Sequence, residues 1–170
     1  ADSRFCRQCG EALNLGGILP FQGVIVGRTL AERYRIVREL GHGGFGRTYL
    51  AEDTNRFHEP CVLKEFAPQV QGDRALQKAE ELFAREAGTL YKLQHPQIPR
   101  FRELFRAEVL GRGRLFLVQD YVEGQTYQAI LHQRWMQGQL FNEPEVTQLL
   151  LQLLPVLSYI HDRGVIHRDI

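Results

Sequence analysis

The stretch over residues 40–64 constrains the fold of this chain more than any other. It reads Leu-Gly-His-Gly-Gly-Phe-Gly-Arg-Thr-Tyr-Leu-Ala-Glu, a polar turn around Asn55, then Pro60-Cys61-Val62-Leu63-Lys64. Gly41, Gly43 and Gly46 form Gly-x-Gly-x-x-Gly, apolar residues then alternate, and a lysine ends a short apolar run. A period of two belongs to strands, so the stretch predicts strand, glycine hairpin, strand, turn, strand. This glycine spacing occurs in plain turns and in loops whose backbone, free of Cβ atoms, approaches phosphate oxygens closely. A dinucleotide-binding loop needs a helix to begin at the third glycine. Thr48, Tyr49 and Leu50 favour a strand instead, so such a loop would close over its ligand as a flap, with Lys64 a point charge for phosphates.

Tyr34-Arg35-Ile36-Val37-Arg38-Glu39-Leu40 leads into the hairpin as a strand, and Pro68 breaks the run after Lys64. Asp73 is the expected N-cap of a helix over about residues 74–93. Its apolar stripe is Ala79, Leu82, Phe83, Leu90 and Leu93, and Glu86 falls in the middle of it. A carboxylate buried unpaired costs several kcal/mol, roughly. Either Glu86 meets a buried cation, with Lys64 the natural partner, or it lies at the stripe's edge and reaches solvent beside Arg85.

His95-Pro96-Gln97-Ile98-Pro99 ends the helix, and two strands follow at about residues 101–107 and 114–118 around Gly111-Arg112-Gly113. The expectation is a five-stranded antiparallel sheet with one helix inserted after its third strand. Gln119-Asp120-Tyr121-Val122-Glu123-Gly124 is extended and ended by glycine. A helix near residues 126–137 would place Leu131 and Trp135 on one face, where core packing is expected. Asn142-Glu143-Pro144-Glu145 is a strong helix start. That helix would run to about Arg163 with Gly164 as its stop, although Pro155 inside it should kink it at a cost of about 3 kcal/mol.

A chain of 170 residues, 44% apolar and 24% charged, suits one globular unit or a little more, and a net charge of +1 gives no reason to expect nucleic acid or an anionic membrane. Apolar runs such as Leu149-Leu150-Leu151 fall far short of the roughly 18 residues of a membrane span, and no secretory signal opens the chain. Three cysteines argue against a secreted disulfide scaffold, so a cytoplasmic setting is expected. Cys6 and Cys9 stand at zinc-knuckle spacing in Phe5-Cys6-Arg7-Gln8-Cys9-Gly10. Structural zinc takes four ligands, so the pair is either half of a site or two reduced thiols on a tail, and Cys61 reads as a buried strand residue. Residues 14–27 suggest a linker or a strap over the sheet. The chain opens on Ala1 and stops at Ile170 inside a motif, so a fragment is expected.

In order and spacing, Leu40 to Tyr49, Cys61 to Lys64, Phe83 to Glu86, His95-Pro96, Leu117 to Gly124 and His167-Arg168-Asp169 resemble the eukaryotic-like (Hanks-type) serine/threonine protein kinases. Val-Leu-Lys-Glu-Phe-Ala-Pro-Gln, His-Pro-Gln-Ile-Pro and the preceding Cys-x-x-Cys-Gly are similar to the four-cysteine bacterial branch common in cyanobacteria. The resemblance covers about residues 33–170. It implies an α+β, protein-kinase-like fold: a half zinc-knuckle and linker over residues 1–32, an N-lobe over 33–118 with the five-stranded sheet and inserted helix, a hinge over 119–124, and the start of a truncated, mainly helical C-lobe over 125–170.

The resemblance also implies roles. Gly41, His42, Gly43, Gly44, Phe45 and Gly46 would form the ATP-covering loop. Leu40, Thr48 and Val62 would border the adenine, with Gln119 as gatekeeper and Asp120 and Val122 bonding the base through their backbone. Lys64 would hold the α- and β-phosphates and pair with Glu86. Asp169 would accept the substrate hydroxyl's proton, His167 would pack the loop, and Arg168 would report activation-loop phosphorylation. Thr48 and Val62 depart from the family's usual valine and alanine. The magnesium ligands would lie beyond Ile170, so this stretch alone should not phosphorylate. The implied function of the whole protein is Mg-ATP-dependent transfer to a protein serine or threonine, with an ATP-binding scaffold (pseudokinase) as the alternative. Leu149, Leu153, Leu157 and Ile160 would be partly exposed, a surface for self-association.

Overall fold

The computed structural model describes residues 24–43, 46–67 and 72–166. Nine elements follow in order: strands β1 (Thr29–Leu30), β2 (Tyr34–Gly43), β3 (Gly46–Asp53) and β4 (Glu59–Phe66), helix α1 (Asp73–Lys92), strands β5 (Phe101–Val109) and β6 (Arg112–Asp120), and helices α2 (Tyr127–Met136) and α3 (Glu143–His161). A short 3-10 turn, Thr54–Arg56, links β3 to β4.

All strands pair antiparallel in one sheet of order β1-β2-β3-β4-β6-β5. The sheet therefore has six strands where five were expected. The addition, β1, is two residues long and pairs Thr29 with Arg35 and Leu30 with Tyr34. So short a strand carries no readable alternation. Ala31 and Glu32, at φ 48° and 55°, turn the chain back. Val24, at the start of the described segment, packs into the core as a strap would, as does Leu30 of β1, while residues 14–23 of the expected linker or strap lie outside the described residues.

Alternation along the strands divides the core in two. On one face Val24, Leu30, Tyr34, Ile36, Tyr49, Ala51, Cys61, Leu63, Phe116 and Val118 pack together. On the other, Phe66, Leu115 and Leu117 meet Phe83 and Ala87 of α1. Burial on both faces explains the unbroken apolar run Leu115-Phe116-Leu117-Val118. Leu110 and Gly111, at φ 51° and 73°, form the two-residue β5–β6 turn, which lengthens both strands beyond the expected 101–107 and 114–118.

Helix α1 begins at Asp73 itself, with Gly72 as its N-cap at φ 90° and no capping side chain, so Asp73 lies one place inside the expected position. Helix α3 starts as expected. Asn142 Oδ1 accepts from Glu145 N and Glu145 Oε2 accepts from Asn142 N, both at 2.9 Å, a complete capping box. Asn142→Ala should cost about 1 kcal/mol of stability, read as a lower denaturant midpoint. The helix continues through Pro155 to His161, and Gly164 at φ 72° follows in the turn after it.

Trp135 is 67% exposed and α2 buries no residue, so the expected core packing of Trp135 and Leu131 is not found among the described residues. On α3 the exposed apolar side is Val146, Leu150, Leu151 and Leu154, while Ile160 is buried and Leu149, Leu153 and Leu157 are half-buried. Tyr159 ties α3 to the end of α1: its hydroxyl accepts from Gln94 N at 2.8 Å and donates to Gln94 O at 2.9 Å, and its ring lies 4.9 Å from that of His95. Among the described residues no helix is long and apolar enough to cross a membrane.

Candidate nucleotide site

Strand register assembles the site. Gly41 pairs with Thr48, Thr48 with Lys64 and Lys64 with Leu117, making one transverse row over four strands. Leu50, Val62 and Gln119 make the next row, two residues along. Directly paired residues, and residues two apart on a strand, share a face, so Gly41, Thr48, Val62, Lys64 and Gln119 share one side of the sheet. Gly43 pairs with Gly46 to close the hairpin, whose tip, Gly44 and Phe45, lies outside the described residues. Leu40, His42 and Val122 are exposed, and Asp120 is half-buried at the end of β6.

Gly46 is required by close approach. At φ 142° its backbone lies so near β4 that a Cβ would stand 1.8 Å from the carbonyl oxygen of Glu65. Gly41 is different: its φ is ordinary and a Cβ there would meet nothing within 4 Å.

Beneath the row, between β3–β4 and α1, lies a cavity of about 420 Å³ lined by Gly46, Thr48, Lys64, Phe66, Phe83 and Glu86 among others. Lys64 and Glu86 thus share a cavity wall, but no hydrogen bond or ion pair joins them. Of the two readings of Glu86, the solvent-facing one matches: it is exposed, as is Leu82 at 54%. Of the expected stripe, Ala79, Phe83, Leu90 and Leu93 are buried or half-buried, and Ala87 takes the place of Leu82, which turns the stripe by roughly 30°. Glu86 stands at its edge, where solvent rather than a cation satisfies it.

At the opposite end of the strands lies a charge lattice that sequence reasoning missed. Arg33 makes two bonds of 2.7 Å to the buried Asp53 and one of 2.9 Å to Glu103, which also takes the Tyr34 hydroxyl. Arg102, with only 6% of its side chain exposed, lies 2.7 Å from Asp120, 3.1 Å from Glu59 and 3.8 Å from Asp53. Arg100 adds a 3.0 Å bond to Asp120, and Asp120 N donates to Arg100 O. Burial alone would raise the Asp53 and Asp120 carboxyls. At Asp53 the bond and charge of Arg33 together with the Asn55 N–H and the charge of Arg102 outweigh it, and Arg102 and Arg100 together do so at Asp120, so both are held below the usual carboxylate value. These residues lie 18 to 70 positions apart in the pairs they form, and no local period betrays them.

A buried carboxylate, Glu65, was also missed. Its side chain is fully enclosed and its Oε2 accepts from the Tyr49 hydroxyl at 2.7 Å. The alternation Cys61, Leu63, Glu65 was its only signal, a charge at a core position. Cys61 itself is free and buried, its thiol pushed up to about 11 by burial, as suits an inert packing residue.

Cys6, Cys9, His167, Arg168 and Asp169 lie outside the described residues. Among the described residues no group of His, Cys, Asp or Glu is placed to hold a metal ion.

A family profile described as protein kinase domain matches residues 34–170. Among curated proteins the chain is similar to serine/threonine-protein kinase-like protein E of Synechocystis sp., 47% identical over 146 residues and covering 85% of this chain and 22% of that protein. It is likewise similar to serine/threonine-protein kinase B of Synechocystis sp. (38% identical, 97% of this chain, 25% of that protein) and serine/threonine-protein kinase PknA of Nostoc sp. (40%, 83% and 24%). The chain spans about a quarter of the length of these relatives. Among solved structures, the Mycobacterium tuberculosis PknI kinase domain superposes with a TM-score of 0.67 at 27% identity, over 87% of this chain and 55% of that one.

Proposed function

The chain belongs to the protein kinase domain family, and from that premise we propose that the whole protein is a serine/threonine protein kinase using Mg-ATP. The observation that carries this reading is the row Gly41–Thr48–Lys64 beside a cavity that Glu86 also lines. The residues present suit a nucleotide. Around Gly41 there is open space for close backbone approach, and Lys64 has no acidic partner among the described residues, leaving its ammonium for phosphate oxygens.

On this reading residues 33–118, with the strap packed on them, form the upper lobe, 119–124 the hinge and 125–170 the start of the lower lobe. Leu40, Val62 and Gln119 bound the base, while the Asp120 carbonyl and the Val122 N–H bond its edge. Lys64 orients the α- and β-phosphates and Asp169 takes the proton of the substrate hydroxyl. Bound Mg-ATP supplies the phosphoryl group and neutralises its charge. The arrangement described, with Lys64 and Glu86 unpaired, is an inactive one, and a rotation of α1 that brings Glu86 to Lys64 activates it. Arg168 couples that change to phosphorylation of the protein.

Lys64→Met in the full-length protein tests the reading. Transfer of labelled phosphate to a protein acceptor should fall roughly 100-fold or more, the order expected when a single transition-state charge contact is lost, with the melting temperature little changed. A wild-type protein that binds ATP yet transfers nothing would instead be a scaffold.

A further inference from the structure

We propose that Glu65 is a positioning residue for the phosphate-binding elements and acts from the face of the sheet opposite them. The inference rests on the kinase reading above. Consecutive strand residues point to opposite faces, so Lys64 looks into the cavity while the Glu65 carboxylate enters the core formed by Val24, Tyr49, Ala51, Cys61, Leu63 and Phe116.

An apolar residue would suit that place better. A buried charge must be paired and hydrogen-bonded to be tolerated, and replacing such a pair by apolar groups is often neutral or stabilising. Here the carboxylate is held from two sides. Oε2 accepts from the Tyr49 hydroxyl of β3 at 2.7 Å. Oε1 lies 2.8 Å from Arg114 Nη1 of β6, close enough for an ion pair but out of line for a hydrogen bond. The Tyr49 oxygen in turn accepts from Val24 N of the strap at 2.9 Å. One side chain therefore joins the two strands flanking β4 to the segment that crosses above them.

The main chain of the same residue does a second job. Glu65 pairs with Arg47 in the β3–β4 register, and its carbonyl oxygen is the atom on which Gly46 closes. Glu65 thus fixes the base of the glycine hairpin through its backbone and the strand bearing Lys64 through its side chain. Neither can shift or roll without breaking the buried network. For groups that act on phosphates by position, a displacement of about 1 Å costs up to roughly 100-fold, so a small loosening at Glu65 is felt across the sheet.

The test uses the full-length protein with Glu65→Leu and Tyr49→Phe, singly and together. The readouts are the dissociation constant of a non-hydrolysable ATP analogue, kcat and KM for ATP, and the melting temperature. Glu65→Leu should lower the melting temperature, because it leaves the buried Tyr49 hydroxyl and Arg114 without their carboxylate, and should also weaken analogue binding by about tenfold, well inside the range that misplacement produces. Tyr49→Phe should weaken it in the same direction, and the double variant should lose no more than the worse single, as coupled groups do. Ile36→Val, in the same core, serves as the control that lowers the melting temperature without changing analogue affinity.

Unchanged affinity in both Glu65→Leu and Tyr49→Phe would overturn the proposal, and should Glu65→Leu not fold, the Tyr49→Phe affinity decides alone. Wild-type phosphotransfer and its loss in Lys64→Met are measured alongside. If they hold while the Glu65 and Tyr49 variants bind as wild type, the kinase reading stands and this inference falls. A wild-type protein that binds no analogue removes both.

Discussion

Gly46→Ala is expected to lower the melting temperature by about 10 °C, whereas Gly41→Ala in the same motif should leave it within a degree or two, since a kcal/mol shifts a domain of this size by about 2–4 °C. The two glycines obey different physics. At Gly46 the φ of 142° belongs to a region that side chains rarely enter, and such strain costs about 1–3 kcal/mol. A methyl group would also stand 1.8 Å from Glu65 O and 2.9 Å from Ala67 N. Both are backbone atoms that no rotamer change can move, so β3 and β4 must part, and overpacking of this kind adds about 1–3 kcal/mol. At Gly41 there is neither strain nor a neighbour. Thermal unfolding followed by circular dichroism separates the cases, and equal melting temperatures for the two variants would refute the distinction.

Arg102→Met should cost about 3–5 kcal/mol, the loss typical when one partner of a buried ion pair is removed. The guanidinium is 6% exposed and reaches Asp53, Glu59 and Asp120, so its removal strands negative charge on three strands at once. Arg106 on the same strand pairs with Glu80 of α1 but is 56% exposed, and Arg106→Met should cost only about 0–1 kcal/mol. Acid exposes the same lattice. Asp53 and Asp120 titrate below their ordinary value of 3.8 in the folded protein. Their stabilising contribution is therefore complete above that value and is lost as pH falls through the depressed folded values. Urea midpoints should change little on this account down to about pH 5 and drop below about pH 4, and in Arg102→Met the drop should be shallower. A midpoint independent of pH between about 5 and 2 would deny the lattice its weight.

The contrast between those two sites shows what the amino-acid order discloses. Local chemistry was legible: the glycine hairpin, the alternation of β2 to β4 and the Asn142–Glu145 capping box all act within a few residues. The row of Gly41, Thr48, Lys64 and Leu117 follows from strand register once the pairing is known. The place of Glu86 stayed open because Leu82 and Phe83 are neighbours on α1 and either could centre the stripe; only contact with Phe66 and Leu117 selects Phe83. Strand β1 was invisible because two residues cannot show a period. Trp135 was misjudged because apolar character gives no address for a partner surface. Glu65 and Arg102 lay beyond reach for another reason: their partners Tyr49 and Asp120 are 16 and 18 positions away, and only the folded sheet brings them near.

The pair of hydrogen bonds between the Tyr159 hydroxyl and the backbone of Gln94 gives α1 the geometry of a lever with its fulcrum at the C-terminal end. Gln94 lies two residues past the end of the helix and is gripped by both its N–H and its C=O. A helix held at that end and packed on the sheet along Phe83 and Ala87 moves mainly by swinging its other end. Glu86 lies roughly 12 Å from the fulcrum at about 1.5 Å per residue, so a tilt of about 20° carries its carboxylate some 4 Å, roughly one ion-pair distance. On the kinase reading proposed above, the linker residues that follow α1 would limit how far Glu86 can move toward Lys64, and loosening them at Tyr159 would let the helix slide instead of swing.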